Sequence, residues 1–432
     1  GRSMRFFVLT FGCQQNVADS EKLSGMALEM GYEPAGSEKD ADLILVNTCA
    51  IREHAENKAL STIGQFKHLK VLGVCGCMPA EPHRREQLKK SYPYVNFILS
   101  TSQLYRLPEY LFEALSAGRR VFRAQEEMSL FEDVPISRAS DYRAFVSIMY
   151  GCNNFCTYCV VPYVRGRERS REPEAVIAEV KALVEKGYRD ITLLGQNVNS
   201  YRRGATDGYE FPDLLRDLDR IEGDFLLRFM TSHPKDATRK LVDVMAGGQH
   251  IAHAFHLPLQ SGSDRILSEM NRHYDRAAYL SVLSYLREKL PDAAVTSDII
   301  VGFPGETEED FEETLEMLRR CRFDMVYSFI YSPRKGTPAA QMENQIPREV
   351  QNSRYDRLLA LQDEIAGEVN RAAIGSVRRV LCDGVSKNDP GVFTGRDEQN
   401  KIVFFREEAN PGEFIRVKIT RSEPFALWGN RI

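Results

Sequence analysis

Three times in the first eighty residues a short apolar run leads straight into a cysteine: RFFVLT (5–10) into FGCQQN, DLILV (42–46) into NTCA, and KVLGV (70–74) into CGCMPA. Runs of this length and composition read as buried strands, and a helical pattern such as ADSEKLSGMALEM, stopped by Gly31, lies between the first two. Strands alternating with helices predict an open parallel α/β sheet. Ligands bind such sheets outside the strand carboxyl ends, where Cys13, Cys49 and Cys77 all fall. The three can therefore converge, although their spacing matches no short metal motif and buried thiols are also common packing residues.

A weakly patterned acidic segment at 124–140 reads as a linker. Six further strand candidates follow, near 145–149, 190–194, 226–230, 254–257, 295–300 and 325–330, with helical patterns between them. Repeated βα units over this length predict an incomplete version of the eight-fold barrel, a partial (β/α)6 barrel whose chemistry lies at the strand carboxyl ends. From about 370 the runs become short and β-rich, which predicts a small all-β barrel. The expected domains are therefore 4–123, 138–366 and 368–432.

The sharpest chemical signal is Gly151-Cys152-Asn153-Asn154-Phe155-Cys156-Thr157-Tyr158-Cys159, three thiols at spacing CxxxCxxC directly after the first barrel strand. Thiolates are soft ligands for zinc or iron–sulfur clusters. A structural zinc closes its tetrahedron with four side chains, and no fourth ligand stands nearby. Three thiolates on a four-iron cluster leave one iron open for a substrate or cofactor. A zinc site or unliganded cysteines are the competing readings. Nine cysteines in all are too few and too odd in number for a disulfide framework.

This loop, with an aromatic residue before its last cysteine, resembles the radical S-adenosylmethionine (SAM) superfamily. The resemblance implies a [4Fe-4S] cluster on Cys152, Cys156 and Cys159 whose open iron chelates SAM, reductive cleavage of which yields a 5′-deoxyadenosyl radical. It implies SAM contacts from Tyr158, Gln196, Asn197, Ser232, Gln260, Asp298, Ile300 and Gly302, all near strand ends. Taken one at a time these polar and glycine-rich turns read equally well as loop caps. GCQQNVADSE, NTCAIRE and GCMPAE resemble the amino-terminal domain of the methylthiotransferases, which implies a second [4Fe-4S] cluster on Cys13, Cys49 and Cys77, with Cys75 a packed thiol. The closing segment, with FTGRDEQNKIVFF and FALWGN, resembles the TRAM domain, a small RNA-binding barrel. CNNFCTYCVVPYVRGRERSR, TSHPKD and LPLQSGSDRILSEMNRHY most resemble the branch that adds a methylthio group to C2 of N6-isopentenyladenosine, 3′ to the anticodon in tRNA. Relatives act on threonylcarbamoyl-adenosine or on a ribosomal protein.

Formal net charge is −4, so any polyanion surface is local. Residues 368–432 hold eleven Lys/Arg against nine Asp/Glu. Arg396, Lys401, Arg416, Lys418 and Arg421 are expected to meet phosphates there, with Phe393, Phe404 and Phe405 offering stacking faces. Arg165 and Arg167, in a run of four arginines ending at Arg171, read either as RNA contacts or as a solvated face. Arg272 and His273 are open between a catalytic and a structural role. No apolar run is long enough to cross a bilayer. The expected partners are tRNA, SAM and an electron donor of low potential, and a cytoplasmic monomer is expected. The rival reading is a non-catalytic iron–sulfur RNA-binding protein.

Overall fold

The computed structural model describes residues 4–50, 53–67, 71–118, 120–123, 136–154, 156, 158, 168–230 and 233–432. The chain forms two compact units: 1–140 with 145–155 and 159–175, and 141–144 with 156–158 and 176–432. Most of the expected linker lies outside the described residues.

The first unit is built on β1 (Arg5–Thr10), β2 (Glu33–Pro34), β3 (Leu43–Thr48), β4 (Val71–Gly76) and β5 (Phe97–Ser100). They form one sheet in the order β2-β1-β3-β4-β5, every pair parallel. The sheet is covered on both faces, so its central strand is a continuous apolar run. Leu43 and Leu45 of β3 pack with Leu23 and Met26 of α1 (Gln14–Glu29). Ile44 and Val46 face the other way, toward Leu60 and Ile63 of α2 (Glu53–Ile63) and Leu88 of α3 (Pro82–Ser91). The first face also holds Tyr110 and Leu111 of α4 (Leu107–Ala117). Cys75 is wholly buried there, and burial pushes its thiol far above the ordinary range, so it is a packed, protonated side chain. The short strands β2 and β5 carried no clear sequence signal.

The barrel strands follow as β6 (Arg143–Ser147), β9 (Asp190–Leu194), β10 (Leu226–Phe229), β11 (Ala254–His256), β12 (Ala294–Val301) and β13 (Met325–Ile330), the short pair β7 (Met149–Tyr150) and β8 (Arg169–Ser170) standing after β6. They lie in two three-stranded sheets, β10-β9-β6 and β11-β12-β13, joined by a parallel bridge from Leu227 to Ile251. The connecting helices are α5 (Pro173–Glu185), α6 (Phe211–Asp219), α7 (Arg239–Gly247), α8 (Asp264–Glu269), α9 (Arg276–Lys289) and α10 (Glu308–Cys321). This is the partial (β/α)6 barrel the sequence predicts, with boundaries displaced by one or two residues.

A long helix, α11 (Arg348–Arg371), then leads into β14 (Val377–Val385), β15 (Phe393–Asp397), β16 (Ile402–Phe405), β17 (Phe414–Glu423) and β18 (Ala426–Arg431). These close into a barrel in the order β14-β15-β16-β18-β17. Alternation is clean on β17: Ile415, Val417 and Ile419 enter the core while Arg416, Lys418 and Thr420 face outward. No helix among the described residues is long and apolar enough to cross a membrane.

Gly73 shows how tightly the first sheet is packed: a Cβ there would stand 2.3 Å from the Phe97 ring. Gly73→Ala is expected to destabilise the protein by about 1–3 kcal/mol, the usual cost of overpacking a core. Denaturant unfolding checks this, and an unchanged midpoint would contradict the packing described.

Candidate active site

In the first unit the parallel register sets Thr10 beside Asn47 and Thr48 beside Gly76, so the three cysteine-bearing turns leave neighbouring strands at one edge. Cys13 is the N-cap of α1, and its backbone N–H donates to Asn16 Oδ1 at 3.3 Å. Asn16 Nδ2 donates to the Thr48 carbonyl at 2.9 Å, and the Cys77 N–H reaches the same oxygen at 3.1 Å. The residue before Cys49 is thus tied to both other turns. Gly12, at φ +125°, lies so close to Cys49 that a Cβ would stand 2.5 Å from the Cys49 Cβ. Gly76, at φ +98°, meets the Thr48 carbonyl in the same way. Only glycine permits these approaches. Cys49 and Cys77 are buried and Cys13 is half-buried.

Among the described residues, Glu56, Glu81 and His83 are the group with ligand atoms within 4.8 Å of one another. Arg84 already pairs with Glu56 there, so a cation is supplied by the chain itself. Cys152 belongs to this unit and is buried, its Sγ accepting from the Asn154 N–H at 3.4 Å. Just before it, Ser147 Oγ accepts from Gln15 Nε2 at 3.0 Å and Tyr150 binds the Lys22 ammonium, which joins this strand to the helix that begins at Cys13.

In the second unit Cys156 is buried and its Sγ lies 3.4 Å from Arg272 Nη1. Arg272 also donates from Nε to the Tyr274 hydroxyl, and its neighbours Asn271 and His273 both hold positive φ, at +59° and +65°. A strained turn fixes a buried cation against the thiol. Tyr158, Tyr274 and Cys156 hold the guanidinium in its charged form despite burial. His273, by contrast, is exposed. Cys159, Ser232, Arg165 and Arg167 lie outside the described residues.

Several of the expected SAM contacts come together at the ends of β11 and β12. Gln260, at φ +71°, donates its N–H to the Asp298 carbonyl at 2.8 Å and accepts from the Ile300 N–H at 2.9 Å. Its buried Oε1 has no hydrogen-bond partner among the described residues, which fits a polar ligand. Tyr158 packs on the apolar cluster of Ile300, Phe303 and Tyr331, a surface suited to an aromatic ring. His256 Nε2, which sequence reasoning missed, stands 3.3 Å from the Asp298 carboxylate. Asn197 is buried with both amide ends engaged, Nδ2 on Asp236 at 2.6 Å and Oδ1 on the His233 N–H at 3.0 Å. It therefore braces the turns after β9 and β10. Gln196 beside it is half-buried. Gly302, at φ +75°, opens the turn that ends at Glu306.

On the closed barrel the expected basic residues separate. Arg416 and Lys418 are exposed on one face of β17, whereas the Lys401 ammonium is spent on Asp324 at 2.7 Å and Asn370 at 2.8 Å. Arg396 is half-buried and donates to the Asn400 carbonyl at 3.2 Å. The structure adds Trp428, with Phe404 at 4.8 Å and Arg421 at 4.5 Å from its ring. Phe405 fills the core.

Residues 146–318 match the radical SAM superfamily, 371–430 the TRAM domain, and 5–100 a family described as uncharacterized protein family UPF0004. The protein is a radical SAM enzyme that carries a TRAM barrel. It is 47% identical over 432 residues to the tRNA-2-methylthio-N(6)-dimethylallyladenosine synthase of Clostridium beijerinckii, covering 98% of this chain and 95% of that one. It is 46% identical over 440 residues to the protein of the same name from Caldicellulosiruptor saccharolyticus, covering 100% and 93%. The chain belongs to this synthase family. The radical SAM methyltransferase TsrM of Kitasatospora setae, solved with cobalamin and a [4Fe-4S] cluster, shares its fold at TM-score 0.57 and 15% identity over 78% of this chain and 74% of that one. The cobalamin-dependent SAM radical enzyme OxsB does so at 0.52 and 12%, over 84% and 56%.

Burial raises the Glu306 carboxyl from 4.5 to about 7, against the Gly302 N–H and the Arg354 guanidinium, which lower it. A carboxyl whose folded pKa exceeds its unfolded one holds its proton more tightly when folded. The resulting stability is complete below pH 4.5 and lost as the pH rises through about 7. Glu306→Gln removes this loss, so the variant's stability relative to wild type should climb between pH 4.5 and about 7 and then level off. Urea titrations across that range provide the check, and parallel curves would contradict the assignment.

Proposed function

We propose that this protein adds a methylthio group to C2 of N6-isopentenyladenosine, 3′ to the anticodon of tRNA. The observation that carries the reading is its end-to-end likeness to the synthases of that name. The division into 4–123, 138–366 and 368–432 assigns one task to each part: a cluster domain, a SAM-cleaving barrel and an RNA-binding barrel. Cys13, Cys49 and Cys77 would hold one [4Fe-4S] cluster, and Cys152, Cys156 and Cys159 the other. When bound, the second cluster and SAM together supply the hydrogen-abstracting radical that an unactivated C–H bond requires, since that carbon has no proton acidic enough for a side-chain base.

The chain's own residues bind and orient. Arg272 sets a positive charge and an N–H against Cys156 Sγ, which fixes the orientation of that side chain. Ile300 and Tyr158 offer an apolar wall for the SAM adenine, and Gln260 and Asp298 present polar atoms near its ribose. Gln196 and Ser232 remain proposed SAM contacts, whereas Asn197 acts by bracing its neighbours. On the RNA side, Arg416, Lys418 and Arg421 meet phosphates and Trp428 stacks, and Arg165 and Arg167 remain proposed RNA contacts. The hydrogen bond of Arg396 to the Asn400 carbonyl and the ion pair of Lys401 suit a supporting role. A low-potential electron donor, a monomer and a cytoplasmic location complete the reading.

The deciding experiment incubates anaerobically reconstituted protein with dithionite, SAM and isopentenylated tRNA, in parallel with threonylcarbamoylated tRNA, and analyses the nucleosides by mass spectrometry. Methylthiolation of the isopentenylated substrate is expected. Modification of the other substrate alone points to a sibling activity, and tRNA binding without 5′-deoxyadenosine points to the non-catalytic alternative. Cys156→Ala should abolish 5′-deoxyadenosine formation, whereas Cys77→Ala should retain it and lose the methylthio product. Trp428→Ala should weaken tRNA binding about tenfold, the worth of one stacked base. Arg416→Ala should lower the slope of log affinity against log salt by about 1, as expected for one lost phosphate contact.

A further inference from the structure

The turn from Gly302 to Glu306 follows β12 and is gripped from one side by two buried residues of α11. Gln351 Nε2 donates to the Gly302 carbonyl at 3.0 Å and to the Tyr331 carbonyl at 3.3 Å. Its side chain lies over the glycine so closely that a Cβ on Gly302 would stand 2.4 Å from Gln351 Cγ. Arg354 Nη1 donates to the Glu306 carbonyl at 2.9 Å and to Glu306 Oε1 at 3.1 Å, and that carboxylate oxygen in turn accepts from the Gly302 N–H at 3.1 Å. Both ends of the turn are therefore bound to one helix, and to each other through Glu306.

The helix itself is anchored along its length. Gln362 Nε2 donates to the Phe323 carbonyl at 3.0 Å and Asn370 Nδ2 to the Glu423 carbonyl at 2.8 Å. A ligand-contacting backbone is held most accurately when its supports stand on a rigid element rather than on another loop.

We infer that Gln351 and Arg354 are positioning residues for SAM: from α11 they hold the turn 302–306 in the shape that presents its backbone to the adenine. This rests on the reading above that Ile300 and Gly302 approach that ring. Neither residue is proposed to touch SAM. Gln351 replaces water at a carbonyl in a positive-φ turn, and Arg354 neutralises the buried carboxylate that pins the turn's first N–H. Without them the turn samples other conformations, and SAM has to select the competent one, which lowers its apparent affinity by that fraction.

The test compares wild type, Gln351→Met and Arg354→Met as anaerobically reconstituted full-length protein, at about pH 8 where Glu306 is ionised. Iron content, SAM affinity by equilibrium dialysis, KM and kcat, and amide hydrogen exchange over 300–306 with and without SAM are measured. Expected are about tenfold weaker SAM binding, from one or two buried hydrogen bonds lost, and faster exchange at 302–306 in the SAM-free variants. KM for SAM should rise with kcat at saturation nearly unchanged, and iron content should match wild type. Unchanged affinity and exchange in both variants overturns the inference. So does loss of iron in both, because a positioning role predicts a local effect. Wild-type protein whose 300–306 amides gain no protection from SAM would instead overturn the adenine assignment, an outcome read without any variant.

Discussion

Parallel pairing brings every strand's carboxyl end to the same edge of a sheet, and the placement of the candidate site residues depends on that constraint. In the first sheet it lines up β1, β3 and β4, so cysteines far apart in sequence leave from adjacent turns. Details then bring the turns together: Gly12 and Gly76 have no Cβ and hold positive φ, which lets the backbone close onto Cys49 and Thr48. An antiparallel arrangement of the same strands would scatter the thiols to opposite edges. The same geometry at β11 and β12 brings Gln260 to Asp298 and Ile300.

A second theme is the placement of charge in low dielectric. Arg272 is buried beside Cys156, with its backbone neighbours forced into positive φ to hold it there. Elsewhere in the same unit buried and half-buried cations are matched: Arg354 to Glu306, Arg143 to Asp190, Lys401 to Asp324. Unpaired buried charge is costly, so such partners are structural requirements. Arg272 differs because it faces a sulfur, Cys156 Sγ, and a tyrosine hydroxyl rather than a carboxylate.

Much of this was legible in sequence, for identifiable reasons. β1, β3 and β4 stood out because buried parallel strands are continuous apolar runs, and β17 because one wet face imposes strict alternation. Strand β5 is four residues long and β2 only two, too short for periodicity to register. Helix α11 gave little warning because part of its buried side is polar: Gln351, Arg354, Gln362 and Asn370 make contact through hydrogen bonds. Among the candidate residues, Cys75 packs in the apolar core of the sheet, while Arg272 and His273, adjacent and equally ambiguous on paper, part company in space. Lys401 looked like a phosphate contact because composition records charge but not its partner.

The sequence by itself determined the thiol inventory, the three-part order of the chain and the edge of the first sheet from which the cysteine-bearing turns leave. These depend on residue type, spacing and the periodicity of apolar residues, all of which are local. Only the tertiary structure decided that Asn197 braces its neighbours, that Lys401 is paired inward, that Trp428 joins the basic face, and that α11 grips the turn after β12. Apart from the ring contact of Trp428 with Arg421, each of these joins residues distant in sequence, and side-chain hydrogen bonds of that kind leave no periodic trace in the chain that makes them.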